Sequence, residues 1–183
     1  MSPIEPGRRR GVEPSSSARE RSVRVSICIA AALLLAACAV PPPGVGTVRD
    51  DVLRTWGRPT ARYAMPAGAE RLEYASGPYG RTTWMIDLDA GGRVTQARQV
   101  LNEAEFMQVQ IEAAGGMTTD ELLRRIGSPG EVRHGGWQGG QVWSWRYPTN
   151  DCLWFQVSVT DRGTVKDGAF GIDPTCDAPS PRD

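Results

Sequence analysis

The sequence has few of the residues that catalytic and metal sites need. It contains one histidine, His134, and four cysteines in 183 residues. A Ser-His-Asp triad would have to use His134, yet the Gly-x-Ser-x-Gly turn that positions a serine nucleophile is absent. Glycine-rich phosphate-binding motifs are also absent. The sequence therefore predicts a protein that is not an enzyme and has no metal ion or cofactor.

Two short patterns resemble fragments of functional loops without the rest of the motif. His134-Gly135-Gly136 is similar to part of an esterase oxyanion loop, and Asp87-x-Asp89-x-Gly91 is similar to part of a calcium loop. The second lacks the other oxygen ligands that calcium requires. Both patterns are typical of hairpin turns, which favour Asp and Gly. We therefore predict ordinary loops at both places.

The sequence also lacks an apolar run long enough to cross a membrane as a helix. The longest run, residues 25–37, follows Arg21 and Arg24 and has the length of the apolar core of a secretory signal. It closes on Leu35-Ala36-Ala37-Cys38, which resembles a bacterial lipobox. That resemblance implies cleavage before Cys38 and acylation of its thiol. The alternative is a chance Leu-Ala-Ala-Cys in an alanine-rich leader.

The expected destination of the acylated chain is the outer membrane, on its periplasmic side. By analogy with bacterial lipoprotein sorting, Ala39 in place of an aspartate favours that membrane, and several acyl chains on Cys38 would anchor the protein stably to its lipid. Residues 38–46, rich in proline and then glycine, are predicted to be a lipidated tether.

No basic stripe follows the leader. Before residue 38 the chain has six basic and three acidic residues, and afterwards 15 basic and 18 acidic residues. Nucleic acid is therefore excluded as an expected partner, because its recognition relies on clustered Lys and Arg.

The part after the tether contains an internal duplication. Gly57-x-Pro59 and Gly127-x-Pro129 each end a predicted helix, and the two glycines are 70 residues apart. Strand residues repeat at 71, with Trp84 matching Phe155, and loops absorb such one-residue changes. A repeated helix-and-strand pattern at fixed spacing is typical of a duplicated supersecondary unit. We predict a first repeat at 47–101, a second at 102–173, and a polar C-terminal tail at 174–183.

Each repeat is predicted to be α+β: a short helix or helix pair packed on a three- to four-stranded antiparallel sheet with one buried face. Asn102 with Glu105, and Thr118 with Glu121, have the spacing of capping boxes. On the helix after Asn102 the apolar positions include Met107 and Ile111. Alternating apolar residues and turn signals predict strands at 61–65, 70–74, 82–88, 93–100, 131–134, 142–147, 153–160 and 165–172.

Two thiols remain once the leader is removed and Cys38 is acylated. Cys152 opens one predicted strand, and Cys176 follows the strand that returns beside it. In an oxidising compartment such a pair is typical of a disulfide, although two unpaired thiols are the alternative.

Trp154 and Arg146 are candidate partner-binding residues. Strand alternation places Trp154 opposite Phe155, on the face that also carries Arg146, so both are predicted to point outward. Trp and Arg are enriched in binding hot spots. A structural Trp covered at the sheet edge is the alternative. On the other face, Trp143, Trp145 and Tyr147 are predicted to belong to the core.

The second repeat resembles the SmpA/OmlA family, which includes the outer-membrane assembly lipoprotein BamE. The match rests on a set of positions in and around the helix pair, namely Val100-Leu101-Asn102, Phe106, Gly116-Met117-Thr118, Leu122-Leu123, Gly127 and Pro129. It extends into the strands through Trp145-x-Tyr147 and Gly163-x-Val165. The first repeat lacks the Phe and the Gly-Met-Thr phrase, and BamE looks like a single unit, so the tandem departs from the family pattern. Doubled units of this shape are also similar to secreted beta-lactamase inhibitor proteins.

The resemblance implies a non-catalytic outer-membrane lipoprotein. Its expected role is BamE-like scaffolding in outer-membrane protein assembly or envelope integrity, through contacts with envelope proteins such as the β-barrel assembly machinery. One alternative is an inhibitor-like module that captures an enzyme on its sheet face. Another is a structural lipoprotein that contacts peptidoglycan or lipid. Fold similarity alone does not decide between these roles.

Overall fold

The computed structural model describes residues 40–76, 81–135 and 139–176. The described residues from Pro42 onward belong to one compact unit. The predicted signal at 1–37, the acylation site Cys38 and most of the C-terminal tail lie outside the described residues. Those expectations therefore stay predictions.

The first repeat is one helix followed by a four-stranded antiparallel meander, here called sheet 1. Gly57 ends the helix in a conformation that glycine adopts easily, with φ of 77°. The strands follow in the order β1-β2-β3-β4. The elements are α1 (Arg49–Trp56), β1 (Ala61–Ala64), a short 3-10 turn (Pro66–Gly68), β2 (Glu70–Ser76), β3 (Thr82–Leu88) and β4 (Val94–Gln99).

The second repeat has a helix pair and a second meander, sheet 2, in the order β5-β6-β7-β8. Thr118 and Glu121 form the complete capping box predicted for the second helix of the pair. The elements are α2 (Glu103–Ala113), α3 (Thr119–Ile126), β5 (Glu131–His134), β6 (Gln141–Arg146), β7 (Leu153–Val159) and β8 (Val165–Ile172). The fold class is thus α+β in two tandem units, as the sequence predicts.

The duplication extends to individual backbone pairings. Glu70 pairs with Leu88 in sheet 1, and Gln141 pairs with Val159 in sheet 2, so both partners are shifted by 71. α1 and α3 are shifted by 70, as are β1 and β5. The one-residue insertion therefore lies between the first and second strands of the second repeat.

Sheet 1 is buried on both faces, which corrects the prediction of one buried face. On the α1 face, the indole of Trp56 lies edge-on to Tyr74 and Trp84, with ring centroids 5.3 and 5.9 Å apart. On the opposite face, here called the junction face, Met85 is fully buried in the core of the second repeat. The second repeat supplies the cover for this face, which the pattern of one repeat alone does not indicate.

The core of the second repeat forms between α2, α3 and sheet 2. Phe106 of α2 stacks on Phe155 of β7 with ring centroids 4.4 Å apart. Trp145 and Tyr147 are buried in the same cluster, as predicted, and Trp143 packs against it. Trp145 Nε1 also donates to the Gly127 carbonyl oxygen at 3.1 Å, which ties the end of α3 to sheet 2.

Helix α2 differs from its prediction in its N-terminal cap, and only some of its apolar positions are buried. Asn102 caps it by accepting from the Glu105 amide, but the Glu105 carboxylate binds Arg98 and does not complete the box. Met107 and Ile111 are 56% and 64% exposed, so they do not belong to the core. Phe106, Val109 and Ala113 form the buried stripe, because their spacing of three and four residues keeps them on one side of the helix.

Candidate functional site

The two repeats are joined by a buried carboxylate on the junction face. Glu73 is fully buried, and its carboxylate accepts from Thr60 Oγ1 at 3.0 Å and from the Tyr63 hydroxyl at 2.5 Å. From the second repeat, Ser128 donates its amide at 3.1 Å and its hydroxyl at 3.3 Å. Both repeats thus satisfy one carboxylate. Buried polar side chains are normally hydrogen-bonded in this way.

The phenol of Tyr63 responds to this environment. Burial raises the pKa of Tyr63, and its hydrogen bond to the Glu73 carboxylate raises the pKa further. Tyr63 therefore stays a hydrogen-bond donor at all physiological pH values. The sequence alone does not single out Glu73, because a glutamate in an alternating strand usually faces solvent. The duplication gives no signal either, since Ser144 takes the equivalent position in the second repeat.

Trp154 and Arg146 share one face of sheet 2, as strand alternation predicts, but neither is open to a partner. Trp154 is 2% exposed and Arg146 is 7% exposed. The guanidinium carbons of Arg133 and Arg146 lie 4.8 and 5.0 Å from the Trp154 ring centroid, so two cations cover the indole. The prediction that these two residues point outward as partner anchors is therefore corrected: they form a closed cluster.

The C-terminal segment completes this cluster. Asp173 is buried and accepts from Arg146 Nε at 2.6 Å and from Arg146 Nη2 at 3.1 Å. The Asp173 amide donates to the Cys152 carbonyl oxygen at 2.8 Å. Burial alone would raise the pKa of Asp173, but hydrogen bonds from Arg146 and Thr175 outweigh it and hold the pKa below its usual value.

We expect the Arg146–Asp173 pair to make folding stability fall in acid. A carboxyl group with a lowered folded pKa stabilises fully above the ordinary value of 3.8, and this stability is lost as the pH drops through the lowered value. Asp173→Asn should lower the free energy of unfolding at neutral pH and flatten its acid limb. Denaturant titrations at a series of pH values measure this, with Asp167→Asn, an exposed carboxylate on β8, as the control. Identical acid limbs for Asp173→Asn and the wild type would contradict the expectation.

The predicted disulfide between Cys152 and Cys176 is confirmed. The two Cα atoms are 6.0 Å apart and 24 residues apart in sequence. Closing a loop of this length stabilises a folded chain by about 3 kcal/mol. Because Asp173 lies inside the loop, the bridge also holds the segment whose carboxylate binds Arg146 beside Trp154.

An exposed apolar surface lies on the other side of sheet 2, beside α2. This helix runs alongside β8: Gln110 Nε2 donates to the Gly168 carbonyl oxygen at 2.8 Å, and Phe106 lies 6.0 Å from Phe170 between ring centroids. The α2–β8 surface consists of large apolar side chains that are 37–68% exposed, namely Met107, Ile111, Phe170 and Ile172. Contiguous exposed apolar patches mark protein-contact surfaces, whereas single exposed apolar side chains are common on any protein.

The two short loop patterns singled out in the sequence, at His134 and at Asp89, lie in loops or at strand ends. His134 Nε2 lies 3.2 Å from Gln141 Nε2, and Gly136 lies outside the described residues. Asp89 accepts from the Arg93 amide, as the hairpin turn requires. Within the described ranges, no group of three or more His, Cys, Asp or Glu side chains is placed to hold a metal ion.

No helix in the part of the chain that the structure describes is both long and apolar enough to cross a membrane.

Comparison with known proteins adds little to this description. Neither a protein-family model nor a curated protein sequence matches the chain. Among solved structures, the chain is similar to a cysteine-rich secretory protein from Staphylococcus aureus, with a TM-score of 0.27 and 9% sequence identity. The match covers 69% of this chain and 41% of that one, so this chain spans less than half of the other's length. A similarity at this level supports no statement about function.

Proposed function

We propose that the protein is a non-catalytic, lipid-anchored scaffold of the outer membrane that works through contacts with envelope proteins. The lipobox-like Leu35-Ala36-Ala37-Cys38 and the resemblance of the second repeat to the SmpA/OmlA family support this proposal. The anchor would keep the repeats on the periplasmic side, within reach of membrane assembly proteins.

The α2–β8 surface is the observation that carries the proposal. Met107 and Ile111 lie one turn apart on α2 and are more than half exposed. Residues one turn apart share a helix face, so a partner can contact both together. The Trp154–Arg146 cluster is covered and offers no comparable surface. We therefore assign the partner contact to the α2–β8 surface and not to the opposite face of sheet 2.

A mild-detergent pull-down from cells that carry the tagged chain tests this role. Wild type should recover subunits of the β-barrel assembly machinery, and Ile111→Glu should lose them because a charge interrupts the apolar surface. Gln108→Glu is the matched control, since it places the same charge on an exposed position of the same helix. Cys38→Ser should lose the partners together with the membrane anchor.

Three results would contradict the scaffold role. One is the absence of assembly-machinery subunits under conditions that retain known complexes. Another is a stoichiometric complex with one soluble enzyme, which would favour the inhibitor-like role. Recovery with peptidoglycan and no protein partner would favour a structural lipoprotein.

A further inference from the structure

A cleft of about 550 Å³ lies between the junction face of sheet 1 and the bend that joins α2 to α3. Its charged lining residues come from both repeats and comprise Arg71, Arg98, Glu112, Glu121, Arg124 and Arg125. Four guanidinium groups thus line one cleft of a chain whose formal net charge is zero.

Most of these arginines have close carboxylate partners. Arg71 binds both oxygens of Asp87, at 2.5 and 2.8 Å. Arg98 and Arg125 share Glu105, at 2.5 and 3.4 Å, and Arg125 also binds Glu112. These contacts account for the charges of Arg71 and Arg125. Arg98 uses one of its five N–H donors in this network.

The two acidic side chains of the cleft are also engaged. Glu112 binds Arg125. Glu121 accepts from the amide and the hydroxyl of Thr118, each at 2.8 Å, and these bonds lower the pKa of Glu121. Neither carboxylate makes a close ion pair with Arg124.

Arg124 is the arginine whose charge has the weakest compensation. Its ion pair is with Asp120, at 3.8 Å, and the Asp120 side chain is 76% exposed. Among the described residues, no acceptor lies within hydrogen-bond distance of Arg124 Nε, although that atom is buried. That atom is closed to solvent and so to a ligand in the cleft, whereas the Arg124 side chain as a whole is 42% exposed. The Arg124 backbone is fixed, because its carbonyl oxygen accepts from Arg71 at 2.6 Å.

We propose that this cleft binds a phosphate-type oxyanion between Arg124 of the second repeat and Arg98 of the first. The guanidinium group has a planar set of donors that matches the oxygens of phosphate. Arg98 and Arg124 retain N–H donors, belong to different repeats and line the same cleft. The bound anion would therefore link the two repeats. The site does not depend on the proposed scaffold role.

Isothermal titration of the full chain with sodium pyrophosphate, at low ionic strength in a non-ionic detergent, tests this site. We expect saturable one-to-one binding that weakens as salt is added, because screening reduces charge attraction. Arg124→Gln and Arg98→Gln should each weaken binding about tenfold or more, since each removes a charged hydrogen bond. Arg162→Gln, an exposed arginine at the β7–β8 turn, is the matched control and should bind as the wild type does. Near-ultraviolet circular dichroism verifies that each variant is folded.

A second titration identifies the source of the oxyanion. The chain is placed in vesicles of neutral phospholipid, with or without an anionic phospholipid. If pyrophosphate binds more weakly in the vesicles with anionic phospholipid than in the neutral vesicles, the competing ligand is a lipid headgroup. If it binds equally well in both, the natural ligand is a soluble phosphate compound. Absence of saturable binding by the wild type, or equal affinity in Arg124→Gln, would overturn the proposal. These results are independent of the pull-down, so the two proposals can fail separately.

Discussion

Gly127→Ala should lower the free energy of unfolding by about 3 kcal/mol. Gly127 has φ of 81° and ψ of −174°, a region that residues with a side chain avoid at a cost of about 1–3 kcal/mol. In addition, a Cβ atom at this position would lie 2.8 Å from Thr83 Cγ2 and 3.1 Å from the Glu73 carboxylate. Forcing an extra methyl group into a packed site costs about 1–3 kcal/mol. Chemical denaturation followed by tryptophan fluorescence measures the loss.

The duplication provides a matched control for this substitution. Gly57 ends α1 with φ of 77° and ψ of −157°, nearly the same conformation. No atom lies within 4 Å of the position that its Cβ would take. Gly57→Ala should therefore lose only the conformational part, and the difference between the two variants measures the contact between the repeats. Equal losses would show that the repeats do not press together at Gly127.

Phe106→Ala should destabilise the protein by about 3–5 kcal/mol, the usual cost of removing a fully buried aromatic ring. Phe106 has no exposed surface, stacks on Phe155, and lies edge-on to Tyr147 with centroids 5.2 Å apart. Its loss would leave a cavity between α2 and sheet 2. Denaturant midpoints and slopes, measured together, separate this loss from a change in compactness.

Ile111→Ala on the same helix is the control for Phe106→Ala. Ile111 is 64% exposed, so its truncation should change the free energy of unfolding by no more than about 0.5 kcal/mol. A loss as large as that of Phe106→Ala would mean that the exposed side of α2 is buried in solution. That result would also challenge the assignment of the α2–β8 surface as a free contact surface.

Local signals were sufficient to predict most of the secondary structure. The strands at 82–88, 131–134 and 165–172 have the predicted bounds, and the remaining elements differ by one or two residues at their ends. Caps, Gly-x-Pro stops and Asp-Gly turns act within a few residues of chain, so the sequence alone displays them. The disulfide was predictable for a similar reason, because antiparallel neighbours bring Cys152 and Cys176 together.

Contacts between the repeats were less predictable. The alternation of β3 shows that Thr83 and Met85 lie on one face, but it does not show that a second repeat covers that face. Likewise, Trp154 and Arg146 were placed on the correct face, yet two arginines cover Trp154 and the distant Asp173 binds Arg146. Such outcomes follow from tertiary packing, which a strand pattern does not encode. Acylation of Cys38 remains a prediction from the leader.

The closed Trp154 cluster has a consequence for assembly. Trp154 occupies the position in sheet 2 that Thr83 occupies on the junction face of sheet 1, and Gln156 takes the place of Met85. In a head-to-tail array, each such face would accept the next copy, and an open last face would allow growth into a filament. Here Arg133 and Arg146 cover the Trp154 ring, and Arg146 is bound by Asp173 inside the Cys152–Cys176 loop. We therefore expect that another copy could not dock on the Trp154 face.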